Sequence, residues 1–196
     1  VDPETGQILQ VVSTAAFADA DGLPETGWLH VRDGRLFVTC QRLDRDAWYA
    51  PVGDSYLLVL DLATNAWIDC DPVQPGVQGI LLAATNPGAR IQDVGDRLLV
   101  ALVGNYGLQD GGVDVVDPQM LASLGVEITE AELGGDLVDL VATGDVRHVV
   151  VADPSWVTHV LRYEPGGAPT TGLTGAGYGH AAIAAGGDAL LLVADR

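Results

Sequence analysis

The chain has 196 residues, enough for one domain with a real core, and no apolar run approaches the roughly 20 residues that a membrane helix needs. Its 27 Asp and Glu against 9 Lys and Arg, all nine of them Arg, give a formal charge of -18, which repels nucleic acid and anionic lipid and excludes both as expected partners. With 25 Gly, 10 Pro and 6% aromatic residues, the composition is that of a turn-rich, all-β protein.

In chain order, Val1-Asp2-Pro3-Glu4-Thr5-Gly6 is a turn, and residues 7–13 form a weak apolar strand. Asp19-Ala20-Asp21-Gly22 with Glu25 supplies hard oxygen donors like the start of a calcium loop, but the rest of that motif is missing. A solvated acidic turn is expected there, with Ca2+ the one ion considered and no cofactor otherwise. An apolar strand at 28–31, the turn Asp33-Gly34 and a second strand at 35–38 then read as a tight hairpin.

This hairpin recurs with Gly95-Asp96 between 89–94 and 97–100, with Gly144-Asp145 between 137–142 and 146–151, and with Gly187-Asp188 between 181–185 and 189–193. A third strand ending in an acidic residue follows the first three copies, at 57–61, 113–117 and 160–164, and a weaker fourth strand follows each, at 66–69, 125–129 and 170–174. Labelled a, b, c and d, the strands run d, abcd, abcd, abcd, ab. A four-step order repeated at this spacing predicts a repeat architecture of four-stranded antiparallel sheets without a long helix.

Asp2-Pro3-Glu4-Thr5-Gly6 resembles the Asp-Pro-x-Thr-Gly turn of YVTN-type bacterial β-propellers. The b strands after Asp-Gly turns and His180-Ala181-Ala182-Ile183 are similar to that family's strands, as are Gln41-Arg42-Leu43-Asp44-Arg45-Asp46 and Asn86-Pro87 to exported members. Leu62-Ala63-Thr64-Asn65 and Asp117-Pro118-Gln119 keep only part of the turn, and Glu164-Pro165-Gly166-Gly167 less. The resemblance implies one propeller domain over 1–196, part of a six- or seven-bladed ring completed by remaining blades of the same chain. Residues 1–13 then end one blade, 27–70, 88–129 and 136–174 are whole blades, and 178–196 is the first half of another. It also implies an exported, periplasmic or lipid-anchored protein. Cys40 and Cys70, an even count in such a chain, are expected to form a disulfide; the alternative is two small buried hydrophobes.

Because the strands alternate in direction, a–b and c–d turns emerge on one face and the b–c and d–a connections on the other. The long connections, 15–27, 42–54 and 70–88, all fall on the second face, which is therefore the expected site of recognition. The candidate ligand-binding residues there are Arg42, Arg45, Trp48 and Tyr49 in the first repeat, Asn105 and Tyr106 in the second, Trp156 in the third, and Tyr178 with His180 entering the fourth. His30, His148 and His159 fall inside strands, and neither a Gly-x-Ser-x-Gly elbow nor a His-x-x-x-His pair is present. The expected function is a non-catalytic binding or scaffold module for a protein, peptide or glycan. The alternative is a metal-dependent hydrolase or lactonase-like enzyme at the channel mouth, which needs carboxylate, Asn or His ligands converging from several repeats.

Overall fold

A computed structural model describes residues 1–186 and 191–195. The protein is all-β, built from antiparallel sheets that follow the chain in order. The first contains β1 (Thr26–Arg32) and β2 (Arg35–Cys40); the chain then makes a small hairpin, β3 (Leu43–Asp44) with β4 (Ala50–Pro51), before β5 (Tyr56–Asp61) and β6 (Ala66–Trp67) complete the order β1-β2-β5-β6. A short β7 (Ile80–Leu81) also pairs with β5. The second sheet is β8 (Gln92–Val94), β9 (Arg97–Leu102), β10 (Gly112–Asp117) and β11 (Ala122–Thr129). One helical turn, α1 (Glu130–Leu133), leads to the third, β12 (Asp136–Thr143), β13 (Val146–Ala152), β14 (Thr158–Tyr163) and β15 (Thr170–Thr174). A pair, β16 (His180–Ala185) with β17 (Leu191–Asp195), follows.

Two-residue loops close the hairpins because their residues tolerate left-handed backbone: φ is 49° and 74° at Asp33 and Gly34, 60° at Gly95 and 58° at Gly144. The c–d turns are held by their acidic residue. Asp61 Oδ1 accepts the N–H groups of Ala63 and Thr64, both at 2.8 Å, and Asp117 Oδ1 accepts those of Gln119 and Met120, both at 2.9 Å. Asp2 Oδ1 does the same for Glu4 at 2.9 Å, so the recurring acidic residue is an Asx turn. The Gly187-Asp188 turn lies outside the described residues.

The b and c strands are apolar on both faces because each sheet is covered twice. In β9, Leu98, Val100 and Leu102 pack with Phe37, Leu57 and Val59 of the first sheet, while Leu99 and Ala101 face the third sheet's Leu140, Val149 and Leu161. In β13, Val149 and Val151 join that second layer and Val150 meets Ile183 of β16. The outer face of the first sheet, Val38, Cys40 and Leu58, is covered by Phe17 from the segment before β1. The sheets thus stack face to face in chain order, in a row that the described residues do not close into a ring.

Two expectations are corrected. Residues 7–13 form no strand: Ile8, Leu9 and Val11 are exposed, and among the described residues no sheet edge pairs with them. Cys40 and Cys70 are free thiols. Cys40 packs on the Phe17 face of the first sheet and Cys70 against the Phe37 and Leu57 face, so the sheet itself stands between them. Among the described residues no helix is long and apolar enough to cross a membrane.

Candidate functional site

Hydrogen bonds between neighbouring sheets fix the polarity of the stack. On one face the tight turns touch: Arg32 donates to Asp93 Oδ1 at 2.8 Å and to the Gly95 carbonyl at 2.9 Å, and Arg35 donates to the Pro118 carbonyl at 2.8 Å. On the other face the long connections touch. Gln41 Nε2 donates to Asn86 Oδ1 at 2.7 Å, and Asn86 Nδ2 donates to the Gly104 carbonyl at 3.1 Å, so loops after β2, β7 and β9 form one chain of contacts. Of the ten non-glycine residues with positive φ among the described residues, seven (Glu25, Arg42, Trp48, Tyr49, Asn86, Gln109 and Trp156) lie in these connections, which marks this face as the conformationally strained one.

Two groups of candidate residues emerge on it. In the first, Asp44 Oδ1 accepts the N–H groups of Asp46 at 2.8 Å and Ala47 at 3.0 Å, which tightens the β3–β4 hairpin and drives Trp48 and Tyr49 to φ of 57° and 60°. Trp48 is 94% exposed, so neither packing nor burial explains its place. Arg42 lies over the Tyr56 ring at 5.8 Å, and Arg45 donates to Glu25 Oε1 at 3.3 Å, while Glu25 Oε2 accepts the Leu43 N–H at 3.0 Å. Both arginines therefore hold the loop that presents the aromatic pair. The Glu25 carboxylate, one of the oxygen donors of the acidic turn, is engaged in the same work.

The second group gathers Asn105, Tyr106, Trp156 and Tyr178. Trp156, at φ 61° and 52% exposed, meets Tyr178 with ring centroids 6.3 Å apart and planes tilted by 51°. Asn105 uses both its N–H and its Nδ2 on Asp110, at 2.7 and 2.9 Å. Gly104 is required at φ 61°, where a Cβ would also collide with the Asp110 carboxylate. Gly107 N–H donates to Asp136 Oδ2 at 2.7 Å, which anchors Tyr106 beside the start of β12. The His180 backbone N–H donates to Thr158 Oγ1 at 2.8 Å. The hydrogen-bond chain of Gln41, Asn86 and Gly104 joins the loop region of the first group to that of the second.

Beneath Tyr106 lie carboxylates that the sequence did not single out. Glu130 is fully buried and accepts the Gly111 N–H at 3.0 Å and the Leu137 N–H at 2.6 Å. Burial, reinforced by Asp136 and Asp110, pushes its carboxyl up to about 7. Burial likewise raises Asp136, against the pull of the Gly107 and Gln109 N–H groups. The Tyr106 phenol is raised by burial first and then by Tyr178, Asp136 and Glu130. The Thr-x-x-Glu capping box at Thr129 and Glu132 was the signal that could have revealed α1 and hence Glu130.

Two histidines tie the scaffold: His30 pairs with Asp93 at 3.0 Å, and His159 bridges Asp153 at 3.0 Å and Thr174 at 3.1 Å. Among the described residues no group of three or more His, Cys, Asp or Glu side chains is placed to hold a metal ion. No protein-family model matches the chain, and no curated protein matches it.

Proposed function

We propose that the protein is a run of YVTN-type β-propeller blades acting as a non-catalytic binding module, with its ligand on the face of the long b–c and d–a connections. The observation that carries this reading is the backbone of its exposed aromatics. Trp48, Tyr49 and Trp156 all take positive φ, a conformation that costs a bulky L residue on the order of 1–2 kcal/mol each. Nothing in the packing returns that cost at Trp48. Strain of this kind, kept at solvent-facing Trp and Tyr residues on one face, fits a preset contact surface, since such side chains offer large area at low entropic cost on binding.

On the turn-rich opposite face Arg and Asp side chains bind one another, Arg32 with Asp93 across neighbouring sheets and Arg97 with Asp117 within the second. The resemblance supports six or seven blades in a complete ring and a location outside the cytoplasm, with a protein, peptide or glycan as ligand. Glycan and peptide arrays probed with the protein and with Trp48→Ala/Tyr49→Ala and Trp156→Ala variants test the function. Spots bound by the parent and lost in either variant, at unchanged melting temperature, support it; spots retained by both variants overturn it.

A further inference from the structure

We propose that Trp156, Tyr178 and Tyr106, set beside the exposed carboxylate of Asp110 and the buried ones of Glu130 and Asp136, receive an organic ammonium group: a small quaternary amine or the head of a lysine side chain in a peptide. The proposal rests on the binding reading above and names the chemistry of one part of that face.

Three observations converge. The first is a set of carboxyls without ion-pair partners. The ion pairs of the described residues take up Asp93, Asp117, Asp139, Asp153, Glu127 and others, yet none involves Asp110, Glu130 or Asp136. These 196 residues contain no Lys, so no lysine ammonium among them pairs with these carboxyls. The second is an unsatisfied acceptor: Asp136 is 5% exposed, and its Oδ1 is buried without a hydrogen-bond partner while Oδ2 is held by Gly107. The third is the aromatic wall. Trp156 and Tyr178 are in ring contact and partly open to solvent, Gly107 beside Tyr106 donates to Asp136, and Asp136 pairs with Ala152, four residues before Trp156.

The combination selects one ligand chemistry. A hard divalent cation needs several oxygens converging at bonding distance, and no such group exists among the described residues. A neutral sugar would use the rings but leave the negative charge unanswered. An alkylated ammonium is large and weakly hydrated, so it gains from ring faces within about 6 Å and from carboxylates that need not touch it. The overall charge of -18 raises the local concentration of any such cation.

The test is titration of the protein with tetramethylammonium chloride and, separately, with a short neutral-capped lysine peptide, followed by 1H–15N spectra. Sodium chloride at equal ionic strength is the control. The Trp156 indole signal, identified by its loss in Trp156→Phe, should move with a dissociation constant on the order of 1 mM. Trp156→Ala and Asp110→Asn should each weaken binding about tenfold, with Met120→Ala, exposed on the opposite face, as the unaffected reference. Movement with the peptide alone assigns the source to a lysine side chain, and movement with both assigns it to any ammonium. No movement with either cation, in a protein whose array ligand still depends on Trp48 or Trp156, overturns the ammonium site and leaves the binding face standing. Absence of array binding as well overturns both.

Discussion

Glu130 Oε1 accepts the backbone N–H of Leu137 at 2.6 Å, tying the turn of helix after the second sheet to the first strand of the third. Its other oxygen accepts Gly111 N–H from the second sheet, so one buried carboxyl spans the junction. The groups facing it are Asp110 and Asp136, both acidic.

This arrangement gives stability a definite pH dependence. The folded carboxyl titrates at about 7 against an ordinary 4.5. A raised carboxyl keeps its proton in the folded state after the unfolded chain has lost it, so its stabilising contribution is full below about 4.5 and is lost as pH rises through 7. Chemical denaturation at pH 5 and pH 8 should show a loss on the order of 2–3 kcal/mol that Glu130→Gln reduces sharply. An equal loss in that variant would contradict the assignment.

Trp48→Gly should stabilise the protein by about 0.5–1 kcal/mol, because it removes a left-handed bulky residue with almost no buried area to forfeit. Trp48→Ala, which stays at the same φ, should change stability little. Thermal melts of the two variants check the difference; a large destabilisation by either would show that the indole packs and that the strain has a structural use.

Asp139 Oδ2 receives Arg90 at 2.7 Å and the Ile183 N–H at 2.9 Å, joining three successive sheets. Asp139→Leu should cost about 3 kcal/mol, since it strands both a guanidinium and a buried N–H. A loss under 1 kcal/mol in urea denaturation would argue against this joint.

Burial pushes the Cys40 thiol up to about 12 and the Cys70 thiol up to about 11, so both should resist alkylation in the native protein. Mass spectrometry after unfolding in alkylating agent without reductant should find two labels. An unlabelled chain that takes up two labels only after reduction would restore the disulfide.

Much of this fold was legible in the residues. Leu98 to Leu102 is apolar at every position, the mark of a strand covered on both faces, and its flanking Gly95-Asp96 turn fixed where it starts. The segment 7–13 carries similar local signal, but a strand exists only with a partner edge, which propensity cannot supply. The β3–β4 hairpin was invisible because Trp48 and Tyr49 occupy a conformation their side chains disfavour. In the candidate site, the aromatics were readable from their loops. The carboxylates were not: Asp110, Glu130 and Asp136 belong to no motif in the sequence, and only the stacking of the second and third sheets assembles them.

The binding face is tested most directly by amide hydrogen exchange of the protein with and without its array ligand. Protection is expected at residues 41–54, 104–111, 153–157 and 177–180, with the hairpin turns at 33–34, 95–96 and 144–145 unchanged. Protection confined to those turns would place the ligand on the opposite face and contradict the account.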